Sequence, residues 1–129
     1  DESYNANPSS VKNAVSNFSN IKRKHGKKFF LLGDMLELGE KSDNYHKNLA
    51  HFINRSDIDK LFVYGKNAFK TYQKTYKAKQ GNILQNLNDF DEIFSDIIKK
   101  DDYLMIKGSN ATGLNKLSKI IIAGHKYAL

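Results

Sequence analysis

Apolar positions along this chain switch between two rhythms. Val11, Ala14, Val15, Phe18 and Ile21 recur three and four apart, the stripe of an amphipathic helix. Asn7-Pro8 opens it, because Asn can cap unpaired backbone N–H groups and Pro fits the first helical position, where its missing N–H would be unpaired anyway. Lys28 to Leu32 is then a short apolar run closed by Gly33-Asp34, the pattern of a strand buried on both faces. Ser42-Asp43 starts a second helix whose stripe is Tyr45, Leu49, Phe52 and Ile53. Lys60 to Tyr64 predicts a strand ended by Gly65, and Phe69, Tyr72 and Tyr76 mark a third helix with a basic outer face. Asn82 to Gln85 gives a weak strand, and a helix from Asp89 carries Phe90, Ile93, Phe94, Ile97 and Ile98. Asp102 to Lys107 is the last strand and Gly113 to Ala123 the last helix.

One helix followed by four strand–helix repeats predicts a mostly parallel sheet with helices on both faces. That is a three-layer α/β fold, doubly wound and Rossmann-like. A further strand either forms from Asp1 to Tyr4 or precedes Asp1. No repeat, low-complexity tract or linker interrupts the pattern, and 129 residues are one domain by size. In such a sheet the loops leaving the carboxyl ends of the strands line the ligand crevice. Asp1 to Pro8, Gly33 to Glu40, Gly65-Lys66 and Gly108 to Gly113 all fall on that edge. They gather Glu2, Asn5, Asn7, Asp34, Glu37, Lys107, Ser109 and Asn110 on one rim.

Charge changes this picture little. The net charge is +7, densest from Lys22 to Lys28, where cations complement the end of the first helix and Gly26 can terminate it. Aromatic residues do not interleave with that run as a base-stacking platform requires, so it reads as a solvated helix end and not a nucleic-acid site. No apolar run approaches the ~20 residues of a membrane span. The absence of cysteine excludes disulfides and cysteine-based zinc sites and fits a reducing compartment.

Several chemistries lack their motifs. No Gly-x-Gly-x-x-Gly and no Gly-x-x-x-x-Gly-Lys-Ser/Thr occurs, so neither dinucleotide binding nor a P-loop phosphate cradle is supported. The histidines are His25, His46, His51 and His125; His46 and His51 lie five apart, a poor match to one helix face, and metal binding by this chain is not expected. His46 reads as a helix-surface residue. Lys107, at a strand end before Gly108-Ser109, either sets an ammonium beside a phosphate or carboxylate or is a solvated turn lysine. Asp34 either faces the crevice or hydrogen-bonds its own turn. Tyr4 either packs on the first helix or touches a nucleotide while its hydroxyl stays wet.

Asp1-Glu2-Ser3-Tyr4-Asn5-Ala6-Asn7-Pro8 resembles the signature that opens the C-terminal domain of the Mur ligases, in the form carried by the branch that adds D-alanyl-D-alanine. Leu32-Gly33-Asp34-Met35-Leu36-Glu37-Leu38-Gly39 with His46 downstream, and Ile106-Lys107-Gly108-Ser109, match in the same order. The resemblance runs from Asp1 to about Leu117. It implies that residues 1–129 are one C-terminal domain of a cytoplasmic, monomeric ligase of peptidoglycan precursor synthesis, without its UDP-sugar and ATPase domains. The enzyme would use ATP with magnesium, held mainly by the ATPase domain, to join D-alanyl-D-alanine to UDP-N-acetylmuramoyl-tripeptide, and this domain alone would be inactive. Glu2, Tyr4, Asn5, Asn7 and Pro8 match the nucleotide-facing motif, with Glu2 where many relatives show Asp. Asp34, Met35, Glu37, Lys107, Gly108 and Ser109 match the amine-substrate side, Lys107 being the one candidate for a catalytic role. Asn110-Ala111-Thr112-Gly113 stands where relatives often have an Arg, which makes Lys107 the substitute partner for the dipeptide carboxylate. Another Mur or folylpolyglutamate-type ligase, or a non-enzymatic Rossmann-like binding module, are the alternatives.

Overall fold

Strand β1 (Lys28–Gly33) is buried at every residue, which only a central strand covered on both faces achieves. A computed structural model describes residues 8–35 and 39–108 of the chain. Around β1 the elements follow as α1 (Pro8–Asn20) before it, then α2 (Ser42–Arg55), β2 (Lys60–Tyr64), α3 (Ala68–Lys74), β3 (Gln80–Leu84), α4 (Asp89–Asp96) and β4 (Tyr103–Lys107). The four described strands are all parallel in the order β3-β2-β1-β4. The predicted alternation is therefore present from α1 to β4. The predicted last helix and the strand considered at Asp1 to Tyr4 lie outside the described residues.

Topology accounts for the layers. From β1 to β2 to β3 the chain steps in one direction across the sheet, and from β3 to β4 it returns past β1. Right-handed crossovers then put α2 and α3 on one face and α4 on the other. Side chains agree: Phe30, Leu32, Leu61, Val63 and Met105 pack with α1, α2 and Ala68 of α3. Phe29, Leu31, Phe62, Leu104 and Ile106 pack with Phe90 and Ile93 of α4. The period-two alternation within β1 thus feeds two cores.

Three details depart from the sequence expectation. β3 begins two residues earlier than predicted, because among its five residues only Leu84 is buried and the edge strand carries little apolar signal. On α2 the buried face is Tyr45, His46, Leu49, Ala50 and Ile53, while Phe52 is exposed, with the Lys12 Nζ 4.9 Å from its ring centre. Tyr76 lies beyond the end of α3 and is exposed.

The basic run after α1 is not simply solvated. Lys28 is fully buried, and its Nζ donates to the carbonyls of Ser19 (3.1 Å) and Ile21 (2.6 Å) and to Asp57 (2.8 Å). The lysine of β1 therefore serves the carboxyl end of α1, where helix carbonyls lack partners. Arg23 pairs with Asp59 at 2.6 Å and with Asp57, and Asp59 also accepts the Lys28 backbone N–H. Burial pushes the Asp57 carboxyl up, but hydrogen bonds and charge from Lys28 and Arg23 outweigh it and hold the group below its ordinary range. Lys79 repeats the device for α2, donating to the carbonyls of Ile53, Ser56 and Ile58. The amino edge of the sheet is thus a charge-paired floor.

Candidate functional site

At the carboxyl edge β1 leads on to β2 and β3, while β4 lies on its other flank. A crevice opens where neighbouring parallel strands send their chains apart, and this is where open α/β sheets bind ligands. Register pairs Leu32 with Lys107, so Asp34 leaves β1 two residues beyond the level at which β4 ends. Asp34, Met35, Lys107 and Gly108 are therefore brought together at one end of two adjacent strands. The start of α1 reaches the same level. Its last carbonyls meet Lys28 at the amino end of β1, and both a 13-residue helix and a six-residue strand extend about 20 Å. Pro8 therefore sits near the carboxyl rim. Glu2, Tyr4, Asn5, Asn7, Glu37 and Ser109 lie outside the described residues.

Each described position has a specific environment. Lys107 is fully buried, so it is not a solvated turn lysine; it ends a strand whose preceding residues, Leu104 to Ile106, are all buried and apolar. Asp34 reaches beyond its own turn to another element. Its Oδ1 accepts the Ala68 backbone N–H at 2.7 Å, capping the start of α3, which follows the neighbouring strand β2. The carboxylate rests on Gly65, where an added Cβ would lie 2.3 Å from Oδ1. Gly65 has φ 120°, a conformation that only glycine adopts without strain. Met35 is buried in the core with Leu32, Leu49 and Val63, so its side chain packs beneath the rim and any ligand contact falls to its loop neighbours. Gly108 is buried beside them.

His46, expected on the helix surface, is fully buried. Its Nδ1 lies 2.7 Å from the Thr71 Oγ1, and that hydroxyl donates to the His46 carbonyl at 3.1 Å. One hydroxyl proton cannot serve both bonds, so Nδ1 carries the hydrogen and donates to Thr71, which leaves Nε2 as a bare acceptor. Nε2 is buried without a partner among the described residues. The signal for His46 was present, since residues 46, 49, 50 and 53 share a helical face; nothing in the sequence marks Thr71.

Burial pushes the His46 pKa below its ordinary 6.5; Asp34 and Asp43 oppose the shift, and Lys70 adds to it. A base whose folded pKa is depressed contributes stability that is complete above its unfolded value and is lost as pH falls through the folded one. The urea midpoint should therefore drop between pH 7 and pH 5, and His46→Asn, which keeps a donor to Thr71 but cannot protonate, should flatten that drop. Identical pH slopes for the two proteins would contradict the assignment.

No group of three or more His, Asp or Glu among the described residues is placed to hold a metal ion. No described helix is long and apolar enough to cross a membrane. The pattern of the family described as "Mur ligase, glutamate ligase domain" matches residues 2–110. The chain is 30% identical over 131 residues to the UDP-N-acetylmuramoyl-tripeptide–D-alanyl-D-alanine ligase of Bacillus subtilis, covering 94% of this chain and 27% of that protein. It is 30% identical over 128 residues to the ligase of the same name from Buchnera aphidicola, covering 98% and 27%. The chain thus spans about a quarter of the length of the curated relatives it matches. Among solved structures, MurF ligase from Thermotoga maritima in complex with ADP superimposes with a TM-score of 0.72 at 23% identity, over 93% of this chain and 26% of that one. MurF from Acinetobacter baumannii gives 0.72 at 23% identity over 95% and 27%. These structural likenesses establish the fold.

Proposed function

The chain belongs to the Mur ligase family, whose glutamate ligase domain it carries, and from that premise we propose that it is the C-terminal domain of the ligase that joins D-alanyl-D-alanine to UDP-N-acetylmuramoyl-tripeptide. The observation that carries the reading is the placement of Asp34 and Lys107 at the carboxyl ends of two neighbouring parallel strands. In this reaction ATP converts the tripeptide carboxylate to an acyl phosphate, the dipeptide amine attacks it, and the tetrahedral intermediate expels phosphate. ATP phosphates and magnesium are held by an ATPase domain, since this chain has no Gly-x-x-x-x-Gly-Lys-Ser/Thr cradle.

The contribution of this domain is closure. Glu2, Tyr4, Asn5 and Asn7, leading into Pro8, face the nucleotide. Asp34, Glu37, Lys107, Gly108 and Ser109 line the dipeptide side, with the Lys107 ammonium near the dipeptide carboxylate. Holding the amine against the acyl phosphate raises its effective concentration, and excluding water prevents hydrolysis of that intermediate. The enzyme acts as a monomer in the cytoplasm, where its nucleotide substrates are made.

The test is phosphate release by the full-length protein. Release should require ATP, the UDP-linked tripeptide and D-alanyl-D-alanine together; turnover with another amine in place of the dipeptide would overturn the substrate assignment. Residues 1–129 alone should show no turnover under the same conditions, and steady release by this chain would remove the need for a separate ATPase domain.

A further inference from the structure

The valley between α2 and α3 is a basic surface groove, built wholly from described residues and sharing none of the proposed substrate residues. Two adjoining hollows of about 330 and 390 Å³ run along it, and Lys47 of α2 and Lys74 of α3 line both. Lys70, paired with Asp43, lines one of them and His51 the other. Lys47 and Lys74 are exposed and have no carboxylate partner among the described residues. Asn44, Asn48 and Gln73 add side-chain amides to the walls. Those walls are fixed against each other. His46 and Thr71 bridge the two helices from within, through bonds of 2.7 and 3.1 Å. Asn54 of α2 bridges them again, donating to the Lys74 carbonyl at 3.1 Å and accepting the Tyr76 N–H at 2.8 Å. A partner therefore meets a groove already formed and loses little in ordering it.

Charge is divided between the two faces of the sheet. Helices α1, α2 and α3 carry Lys12, Lys47, Arg55, Lys70 and Lys74 against Asp43 alone. Helix α4, on the opposite face, carries Asp89, Asp91, Glu92 and Asp96 and no cation. This separation draws an anionic partner toward α2 and α3 and repels it from α4. The lining contains no aromatic ring on which a nucleic-acid base could stack or that could anchor in a bilayer. A bilayer surface, moreover, does not enter a valley between two helices. An acidic chain segment does: its carboxylates reach the two unpaired ammoniums, and the amides of Asn44, Asn48 and Gln73 take its peptide groups. We propose that the α2–α3 groove is a docking surface for an acidic segment of a partner protein, with Lys47 and Lys74 as its main contacts. The surface is independent of the substrate assignment above.

The probe is fluorescein-labelled octaglutamate, titrated into the full-length protein and read by fluorescence anisotropy. Binding should weaken about tenfold between about 50 and 300 mM salt, as contacts between exposed charges do. Carbodiimide, which couples carboxylates to adjacent lysines, should join the peptide to Lys47 and Lys74, as located by mass spectrometry. Lys47→Glu with Lys74→Glu should weaken binding about tenfold or more, while circular dichroism and dipeptide-dependent phosphate release stay near wild type. Lys12→Glu with Arg55→Glu makes the same change in net charge outside the groove and should weaken binding less than about threefold. Equal losses for the two double variants, or coupling concentrated at other lysines, would overturn the groove as the site. Tighter binding of phosphatidylglycerol vesicles or of a single-stranded oligonucleotide, lost in Lys47→Glu with Lys74→Glu, would overturn the acidic segment as its occupant. So would concentration-dependent self-association abolished by that variant, which would seat α4 of a second copy in the groove.

Discussion

Gly26→Ala is expected to lower the melting temperature of this chain by about 10 °C, corresponding to about 3 kcal/mol. Gly26 lies where the link from α1 to β1 crosses the link from α4 to β4, and its φ is 138°. A Cβ there would sit 2.2 Å from the Asp101 carbonyl oxygen, 2.9 Å from its carbon and 3.4 Å from the Asp102 Cα. All three neighbours are backbone, so no side chain can swing aside. That backbone is itself pinned. Asp102, buried, accepts the Lys27 N–H at 2.8 Å and the Lys99 N–H at 2.7 Å, and the Tyr103 N–H donates to the Lys27 carbonyl at 2.8 Å. The dihedral alone costs roughly 1–3 kcal/mol for a residue with a Cβ, and moving the crossing adds to it. Gly39→Ala is the comparison, because Gly39 has φ 60° but nothing within 4 Å of its added Cβ, so only the dihedral term, about 1 kcal/mol, applies. Thermal unfolding by circular dichroism reads both. Equal shifts for the two variants would mean that the close approach of Asp101 does not determine the effect.

Against a domain stability of about 5–15 kcal/mol, such a change is a large share. Gly26 was read in the sequence as a helix terminator, which concerns only its own neighbours. Its stronger role depends on Asp101, 75 positions away, and no local pattern contains that. The same division runs through the fold. The strands at 28–33, 60–64 and 103–107 were legible because buried parallel strands are continuous apolar runs between turns. β3 was weak because an edge strand has one neighbour and buries little. That Asp34 and Lys107 follow the same ends of neighbouring strands was legible as well, since alternation of strands and helices makes the sheet parallel. What the sequence could not reveal is pairing: that Asp34 caps α3, that Lys28 caps α1 from within the sheet, and that His46 turns inward to Thr71. Each of these depends on a partner that arrives from another element.

The second large effect concerns two lysines that the fold buries completely at opposite ends of two neighbouring strands. Lys28, at the amino end of β1, has its ammonium on the Ser19 carbonyl of α1, on the Ile21 carbonyl just past its end, and on Asp57. Lys107, at the carboxyl end of β4, lies opposite Leu32 of β1 on the proposed substrate edge. Met matches the length of either side chain and removes its charge. Lys28→Met in residues 1–129 should lower stability by about 1–3 kcal/mol, since helix carbonyls lose their buried donor. In the full-length protein, assayed well below its melting temperature, the same substitution should leave dipeptide-dependent phosphate release close to wild type. Lys107→Met should instead reduce kcat/KM for D-alanyl-D-alanine about 100-fold, the usual consequence of deleting a charge that steadies a reacting or anchoring anion in a site closed to water. Near-ultraviolet circular dichroism should show both variants folded at the assay temperature. If Lys28→Met and Lys107→Met lose turnover equally, the effect follows stability alone, and Lys107 becomes a second structural lysine. If only Lys107→Met loses turnover, the two ends of one sheet divide the work, the amino edge holding helices in place and the carboxyl edge holding substrate.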